Sequence, residues 1–511
     1  MNNREENIDE ELPFKGREFL DENYNLHRTT EELSRGGQGI VYKTEDDQLL
    51  LKLALLPDNL SADAQEKVLQ AKRRRYHNVS LLPVPYGLHL AVPLASLQDE
   101  AGYVMEFLQD MEPLQALLDI RMTDDLRELP AWIAQTKNKY QRSKWAHYQR
   151  TGGLRRRLEI LARTAEILGR LHAKGLVYGD LSPDNIYVSK QLGKNLSKDA
   201  GGREQRQNVW LIDADNLCFA MPGQHAEGFF TPGYGAPELV RGESGATFCT
   251  DSFSFAVAAF QTLTLQMPFA GRMLAEADDD WDVGEGVLST EERAWRGELP
   301  WLDEPEDRSN ADISEGQVLR PLLLAPGLQR LFQQAFGKVG RECPESRPAL
   351  SVWARELARA ADDVVHCEKC GTEYYGGNGL ETTCPYCGHQ QQAAYLFTAM
   401  ARQIDGSYGG EPWRFRLPRQ GGVLPYRLLQ PCGTDEAEAD GLSLRVEERH
   451  AFLSKEAARE VDVAYAGKVT NGRFHTLRAR LDMGKLESGE KFYLWASGKV
   501  QRLVIGEKGA V

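Results

Sequence analysis

The sequence lacks a long uninterrupted apolar run. Its most apolar long stretch, residues 253–269, is interrupted by Ser, Gln and Thr, which predicts a buried helix and not a membrane span. The first residues, MNNREENIDEELPF, are polar and acidic and contain no apolar segment of the kind that a secretory signal requires. From these two features we expect a cytoplasmic protein with no membrane partner.

Basic charge is scarce as well. The 511 residues include 61 Lys and Arg against 75 Asp and Glu, so the formal net charge is −14. Nucleic-acid phosphates attract basic surfaces, so this balance argues against nucleic acid as a partner. The chain has eight cysteines, four of them within residues 367–387, and this distribution does not suit a disulfide framework.

The pattern of apolar residues divides the chain into four parts. Residues 1–28 are a charged lead-in, which we expect to be flexible. Residues 29–364 begin with strand-like runs and continue with helical periodicity, which predicts a small β-rich lobe followed by a larger helical lobe. Residues 365–392 hold the cysteine cluster, and residues 393–511 return to strand-like alternation. The expected fold class is α+β.

A glycine-rich segment, LSRGGQGIVYK, occupies residues 33–43. Glycines allow backbone N–H groups to approach phosphates without obstruction by a Cβ atom. Taken alone, the segment is also typical of an ordinary β-turn. The residues that a phosphate ligand would meet here are Ser34, Gly36, Gly37, Gly39 and Val41.

A lysine interrupts the next apolar run. Lys52 lies inside LLLKLAL, residues 49–55, where an ammonium group is costly unless it has a partner. A phosphate and a carboxylate would supply two partners. The helical segment that follows contains Glu66, and we expect this carboxylate to face Lys52.

Polar side chains recur in order farther along the chain. The segment LVYGDLSPDNIYV contains Asp180 and Asn185, and VWLIDADN ends an apolar run at Asp213. A carboxylate at the end of a buried strand suits a hard cation that bridges phosphates. The segment FTPGYGAPEL contains Glu238, for which we expect burial and a structural pairing with Arg347.

This ordered set resembles the eukaryotic-like Ser/Thr protein kinases, over about residues 29–360. The resemblance implies a two-lobed kinase fold. It also implies transfer of phosphate from ATP, with Mg²⁺, to Ser or Thr hydroxyls of a protein substrate, autophosphorylation included.

The resemblance also assigns roles to the residues. Lys52 corresponds to the group that grips the ATP phosphates, Glu66 to the group that steadies it, and Asp180 to the catalytic base. Asn185 and Asp213 correspond to the Mg²⁺ ligands. The chain at Glu106 and Leu108 corresponds to the backbone that binds adenine.

A narrower resemblance rests on the sequence GDLSPDN, the GGQG loop and the DAD turn, followed later in the chain by the cysteine cluster. This set is similar to a bacterial kinase group in tellurite or stress systems. Its members accompany a PP2C-type phosphatase and a von Willebrand A protein, which the resemblance implies as partners.

The catalytic loop and the DAD turn depart from the family pattern at five residues. Tyr178, Gly179 and Ser182 replace a His, an Arg and a Lys, and Ala214-Asp215 replaces Phe-Gly. Loss of the Lys removes a cation near the transferring phosphate and with it some stabilisation of the transition state. Three alternatives therefore stay open: an ATP-binding pseudokinase scaffold, a small-molecule kinase of the aminoglycoside or choline type, and a non-enzymatic zinc-ribbon adaptor.

The cysteine cluster consists of two Cys-x-x-Cys-Gly segments. Their four sulfurs can surround one Zn²⁺ tetrahedrally, which leaves no open position and favours a structural or adaptor role. The pattern resembles a zinc ribbon, and we expect the β-rich domain behind it to recognise a partner. The predicted zinc ligands are Cys367, Cys370, Cys384 and Cys387.

Overall fold

A computed structural model describes most of the chain. Its described residues are 16–36, 39–56, 61–190, 209–220, 228–277, 288–313, 320–417, 421–428, 442–447, 450–455, 463–466, 475–476, 480–482, 491–496 and 502–509. Gly37 and residues 1–15, which carry two of the sequence predictions, lie outside these residues. Within the described residues, no helix combines the length and the apolar character needed to cross a membrane.

The N-terminal lobe is an antiparallel sheet with one long helix. Its strands lie in the order β1-β2-β3-β4-β6-β5. Alternating side chains of the central strands meet in a small core that includes Ile40, Leu51 and Val104. The elements are β1 (Glu18–Leu20), β2 (Leu26–Arg35), β3 (Gly39–Thr44), β4 (Leu49–Ala54), α1 (Ala62–Ser80), β5 (Ala95–Ser96) and β6 (Gly102–Glu106).

The N-terminal sheet begins earlier in the chain than expected. Strand β1 pairs with β2 from Glu18 opposite Arg28 to Leu20 opposite Leu26. In the turn between them, the buried Asp21 carboxylate accepts hydrogen bonds from the backbone N–H of Asn25 at 2.9 Å and of Asn23. The expectation of a flexible lead-in up to residue 28 is therefore corrected for residues 18–28. The polar groups of this turn hydrogen-bond to one another. The charged composition of the segment gave no sign of such an ordered turn.

The C-terminal lobe is mainly helical, as the periodicity predicts. The leucines of α4 that repeat at three- and four-residue spacing, such as Leu158 and Leu168, are fully buried, and α4 packs against α6 and α12. The helices are α2 (Ala131–Ala134), α3 (Lys139–Arg150), α4 (Gly153–His172), α5 (Pro237–Val240), α6 (Phe248–Thr264), α7 (Arg272–Ala275), α8 (Thr290–Trp295), α9 (Arg320–Leu323), α10 (Pro326–Phe336), α11 (Lys338–Glu342) and α12 (Leu350–Asp363).

Short strands carry the loops between these helices. Strands β7, β9 and β10 form one antiparallel sheet, and β8 pairs with β11. These small sheets hold the two polar segments around residues 180 and 213 side by side. The strands are β7 (Met111–Pro113), β8 (Leu176–Val177), β9 (Ile186–Ser189), β10 (Val209–Leu211) and β11 (Cys218–Phe219).

Behind the helical lobe come two hairpins and a β-rich domain. The hairpins are β12 with β13 and β14 with β15, and they contain the cysteine pairs. The β-rich domain has one sheet in the order β17-β16-β25-β24-β21-β22 and another in the order β18-β19-β20-β23. The expected fold class is thereby confirmed. The strands are β12 (Val364–His366), β13 (Glu373–Tyr375), β14 (Glu381–Thr383), β15 (Gln390–Gln392), β16 (Tyr395–Arg402), β17 (Tyr408–Leu417), β18 (Gly421–Leu424), β19 (Leu442–Glu447), β20 (His450–Lys455), β21 (Val463–Ala466), β22 (His475–Thr476), β23 (Arg480–Asp482), β24 (Lys491–Ala496) and β25 (Arg502–Lys508).

Two aspartates at the end of α12 attach the β-rich domain to the helical lobe. The Asp362 carboxylate accepts hydrogen bonds from Trp413 Nε1 at 2.7 Å and from Arg427 Nε at 2.8 Å. Arg416 donates to the Asp363 carboxylate at 2.7 Å. Charge-assisted bonds of this kind are stronger than neutral ones and fix the orientation of the domain on α12.

A buried ion pair joins two distant segments of the helical lobe. Arg347 donates to both carboxylate oxygens of Glu238, at 2.7 and 2.8 Å, and its Nε donates to the Gly340 carbonyl at 2.8 Å. Both side chains are buried. The pairing that the sequence predicted is therefore confirmed, and its bidentate geometry satisfies both charges.

We expect Arg347→Met to lower the free energy of unfolding by about 3–5 kcal/mol, because it leaves the Glu238 carboxylate buried without its cation. Urea denaturation followed by tryptophan fluorescence measures the loss. The matched control is Arg127→Met, which breaks the exposed pair with Asp125 and should leave the midpoint unchanged. Equal losses in the two variants would contradict a special role for the buried pair.

Candidate active site and four-cysteine centre

The loop around residue 180 is held by one carboxylate of α6. Asp251, buried in the first turn of that helix, accepts hydrogen bonds from the backbone N–H groups of Tyr178 at 2.8 Å and Gly179 at 2.9 Å. His172 Nε2 lies 2.9 Å from the same carboxylate. The two backbone hydrogen bonds to Asp251 fix the chain immediately before Asp180, so the loop has a defined geometry.

The departures at residues 178 and 179 fit this loop. The ring of Tyr178 is fully buried, and its hydroxyl donates to the Ile212 carbonyl. Gly179 has a φ of +90°, and a Cβ atom there would lie 3.2 Å from the Asn216 carbonyl oxygen. Glycine is favoured at such a φ because it lacks Cβ. The backbone therefore explains why this chain has no arginine at position 179.

The Asp180 carboxylate lies where several chain segments meet. Thr231 Oγ1 donates to Asp180 Oδ1 at 2.9 Å, and Asn216 Nδ2 lies 3.5 Å from Oδ2. The Asn185 side chain donates to the Asp180 carbonyl at 2.9 Å. Asn216 also accepts a hydrogen bond from Arg75 of α1, which connects the N-terminal lobe to this loop.

Asp213 follows β10 and lies between this loop and the N-terminal sheet. Its backbone has a φ of +57°, and the neighbouring Ile212 N–H donates to the Asn185 carbonyl at 3.0 Å. Hydrogen bonds from Lys52 Nζ reach Asp213 Oδ1 and, at 2.7 Å, Asp215 Oδ2. The structure thus brings Lys52, Asp180, Asn185 and Asp213 together, as the motif order predicted.

Burial and charge act in opposite directions on this pair. Burial lowers the pKa of Lys52, but the negative charges of Asp215 and Asp213 outweigh it and hold the pKa above the usual lysine range. Burial raises the pKa of Asp213 to about 6, although the positive charge of Lys52 opposes the rise. The two carboxylates therefore hold the buried Lys52 ammonium in its charged form.

Glu66 does not contact Lys52, which corrects the predicted pairing. Its side chain is exposed and accepts a hydrogen bond from Gln70 Nε2 at 2.8 Å, one turn along α1. The α1 residues that contact the N-terminal sheet are instead Lys72, which donates to the Leu55 carbonyl at 3.1 Å, and Tyr76, whose ring packs on Tyr103. Charged residues occur all around α1, so its apolar pattern did not define which residues face inward.

Sequence reasoning missed two further members of the site, Asp215 and Tyr103. The Asp215 carboxylate is 3% exposed and accepts a hydrogen bond from the Tyr103 hydroxyl at 2.6 Å. From the sequence, Asp215 is recognised only as a substitution in the family motif and not as a member of the site. The available signal was a second carboxylate two residues after Asp213 and directly behind an apolar strand, where an unpaired charge is costly.

The glycine-rich hairpin covers the same cleft. Val41 of β3 lies directly opposite Lys52 of β4, and Ser34 of β2 lies opposite Val41. A Cβ atom on Gly39 would lie 2.5 Å from the Leu53 carbonyl oxygen and 3.2 Å from Lys52 Cε, so glycine is required there by close packing. The Gly36 N–H donates to the Gly39 carbonyl at 3.0 Å and so links the end of β2 to the start of β3.

The predicted adenine segment begins at the last residue of β6 and continues beyond that strand. Glu106 is exposed and lies opposite Leu49 at the end of the β4–β6 pairing. Leu108 is half-buried just beyond it. The location beside the cleft is compatible with the predicted role of this backbone, and the role itself stays a prediction.

The four cysteine sulfurs of the second centre converge. All four Sγ atoms lie within 4.8 Å of one another, with Cys367 to Cys387 at 3.6 Å and Cys370 to Cys384 at 3.7 Å. Four sulfurs at the usual Zn–S bond length of about 2.3 Å are about 3.8 Å apart at tetrahedral corners. The arrangement therefore fits a Cys₄ zinc site.

Tight turns produce this convergence. The Gly371 N–H donates to the Cys367 carbonyl and the Gly388 N–H to the Cys384 carbonyl, both at 2.9 Å. The two glycines have φ values of +71° and +68°, which residues with a Cβ atom rarely adopt. Each Cys-x-x-Cys-Gly segment thereby folds so that its two sulfurs point the same way.

The four-cysteine centre is attached to the helical lobe. Trp132 Nε1 donates to Thr372 Oγ1 at 2.8 Å, and its ring stacks on Tyr386 with centroids 4.7 Å apart. Gln149 of α3 donates to the Gly371 carbonyl at 2.9 Å. The cysteine turns thus contact helices α2 and α3 directly.

Sequence comparison shows that the chain is similar to known Ser/Thr protein kinases. No protein-family model matches the chain. The chain is 26% identical over 283 residues to the Serine/threonine-protein kinase PknD of Chlamydia abortus, covering 52% of this chain and 27% of that protein. It is 27% identical over 252 residues to the Serine/threonine-protein kinase Pkn1 of Myxococcus xanthus, covering 48% of this chain and 30% of that protein.

A shorter match is to the proto-oncogene serine/threonine-protein kinase mos of Sus scrofa, 35% identical over 101 residues, 20% of this chain and 26% of that protein. The chain therefore spans less than a third of the length of these relatives. The resemblance to Ser/Thr-protein kinases that the motifs predicted is confirmed over about half of the chain, and the two-lobed fold agrees with it.

We expect the purified protein to retain about one Zn²⁺ per chain through dialysis and the Cys384→Ser variant to lose it. Structural zinc bound by four thiolates contributes about 10–16 kcal/mol, so loss of one ligand weakens retention strongly. Mass spectrometry of the metal content measures the difference. Cys343→Ser, at an exposed cysteine outside the centre, is the control. Equal zinc in wild type and Cys384→Ser would show that these sulfurs do not hold the ion.

Proposed function

We propose that this protein is an ATP- and Mg²⁺-dependent Ser/Thr protein kinase that also phosphorylates itself. The observation that carries the proposal is the convergence of Lys52, Asp180, Asn185 and Asp213 in one cleft between the lobes. Lys52 and Asp213 are 161 residues apart in the chain and are hydrogen-bonded in the structure. Similarity to bacterial kinases over half of the chain gives separate support.

The residues of the cleft have distinct roles in this proposal. The Lys52 ammonium binds the phosphates of ATP, under the hairpin that contains Gly36 and Gly39. The oxygens of Asn185 and Asp213 would hold Mg²⁺, which offsets phosphate charge when bound. Asp180 accepts the proton of the acceptor hydroxyl while the oxygen of that hydroxyl forms a bond to the γ-phosphorus of ATP. The bond between the γ-phosphorus and the oxygen that bridges it to the β-phosphate breaks, and ADP leaves.

Two features bear on the acceptor and on the rate. Thr231 already donates a hydroxyl hydrogen bond to Asp180, so the geometry suits an aliphatic hydroxyl at this carboxylate. Ser182, at the position of the missing lysine, is buried and supplies no charge. The transferring phosphate therefore has one cation fewer, and we expect slow turnover.

The ordered segment around Glu238 supports a protein acceptor over a small molecule. Its buried pairing with Arg347 holds the stretch 231–239 against the helical lobe beside Asp180. A peptide acceptor needs a fixed surface of this kind next to the catalytic base. The adaptor alternative lacks support of this kind, because it gives the Lys52–Asp213 cleft no role.

We also propose a cytoplasmic location, because ATP and reduced thiols are both maintained there. The narrower motif resemblance supports a PP2C-type phosphatase and a von Willebrand A protein as partners. The β-rich domain and the four-cysteine centre are the proposed docking surfaces for such proteins.

Transfer of ³²P from γ-labelled ATP to the protein itself and to a basic protein substrate tests the proposal. We expect Asp180→Asn and Asp213→Asn to lower the rate by about a hundredfold or more, the range for loss of a catalytic base or metal ligand. Asp99→Asn makes the same chemical change at an exposed site and is the control.

The result also separates the alternatives. ATP that raises the melting temperature of the wild type without any transfer would indicate a pseudokinase scaffold. Transfer to aminoglycosides or choline but not to protein would indicate a small-molecule kinase. Either outcome contradicts the proposed function.

A further inference from the structure

Helix α1 is a poor source of negative charge for Lys52. Its sequence ADAQEKVLQAKRRRYHNVS contains two acidic residues, Asp63 and Glu66, and both are exposed. The helix has five Lys and Arg residues in the same span. Lys72 donates to the Leu55 carbonyl at 3.1 Å, so its ammonium lies just beyond β4, the strand that carries Lys52. The side of α1 toward the cleft thus adds positive charge where a negative charge is needed.

Asp215 supplies that negative charge from the opposite lobe. One of its carboxylate oxygens accepts from Lys52 Nζ at 2.7 Å and the other accepts from the Tyr103 hydroxyl at 2.6 Å. Lys52 and Tyr103 are direct neighbours across strands β4 and β6. The carboxylate is therefore gripped by two adjacent residues of one sheet, and its position relative to Lys52 is fixed at both oxygens.

The ring of Tyr103 is itself held in place. It is 1% exposed and makes an edge contact with Tyr76 of α1, with ring centroids 4.9 Å apart. Helix α1 thus contributes to the arrangement through an aromatic side chain and not through an acid. A buried carboxylate with both oxygens hydrogen-bonded is pre-organised, because it need not reorient to bind the ammonium.

We propose that Asp215 is the positioning residue for Lys52, in place of a carboxylate on α1. The proposal rests on the proposed function, since it names the group that holds Lys52 toward the ATP phosphates. Asp213 and Asp215 now share the ammonium. If Asp213 held a magnesium ion, Asp215 would still neutralise Lys52, so one aspartate would serve the metal and the other the lysine.

The first test is Asp215→Asn, an almost isosteric change that removes the charge. We expect kcat/KM for ATP to fall about ten- to a hundredfold, the range for losing one hydrogen bond to a charged group. We also expect half-maximal activity to require more Mg²⁺, because Lys52 then competes for Asp213. Tyr103→Phe should change both quantities in the same direction by a smaller factor. Asp99→Asn is the matched control.

Relocation of the charge gives the second test. Lys72→Glu places a carboxylate on the side of α1 nearest Lys52, so we expect it to restore part of the kcat/KM lost in Asp215→Asn. A residue that acts only on stability would not be rescued in this way. If the Asp215 variants fail to fold, Tyr103→Phe tests the proposal instead, because it removes one of the hydrogen bonds that hold the Asp215 carboxylate.

Some results would overturn the inference. One is an Asp215→Asn enzyme within about twofold of wild type in kcat/KM and Mg²⁺ requirement, well below the loss expected for a charged hydrogen bond. Another is a larger loss in Glu66→Gln than in Asp215→Asn, which would return the role to α1.

Failure of the proposed function gives a different result. A wild type that binds ATP without transferring phosphate would contradict the proposed kinase activity but not the positioning role of Asp215. The dissociation constant for ATP, measured with a fluorescent nucleotide, then takes the place of kcat/KM. Weaker binding in Asp215→Asn, with Asp99→Asn unchanged, supports the positioning role, and equal binding overturns it.

Discussion

Lys52 is only 6% exposed in the N-terminal sheet, and the need to neutralise its ammonium constrains both lobes. A charge at such a site is stable only with charged or strongly polar partners. Those partners, Asp213 and Asp215, come from a turn of the helical lobe. The two lobes are therefore joined through a buried charge cluster, and the cleft between them is built around it.

The helical lobe supports its side of the cleft in the same physical manner. Asp251 fixes the backbone before Asp180, and the bidentate pair of Glu238 and Arg347 fixes the segment that presents Thr231. Asp251 and Glu238 are both buried carboxylates that accept hydrogen bonds from residues far away in the chain. The substitution at Gly179 belongs to this framework, since its backbone conformation suits glycine.

The two C-terminal modules are attached to the helical lobe at different places. The four-cysteine centre contacts α2 and α3 through Trp132 and Gln149, and the β-rich domain binds the end of α12 through Asp362. Helices α4 and α12 pack against each other. Both modules are thus connected to the framework that carries Asp180, although neither contributes a residue to the cleft among those described.

The sequence by itself determined the order of the motifs, the two-lobed division, the grouping of the four cysteines and the pairing of Glu238 with Arg347. These features were predictable because they depend on local spacing or on a residue type that is costly when buried alone. The partner of Lys52 and the start of the first sheet were decided by the tertiary structure. The rotation of α1 sets which of its residues face the cleft, and it depends on tertiary contacts such as that of Tyr76 with Tyr103, which the charge-rich pattern of α1 does not reveal. Likewise, Asp215 acquires its role from a contact across 163 residues of chain.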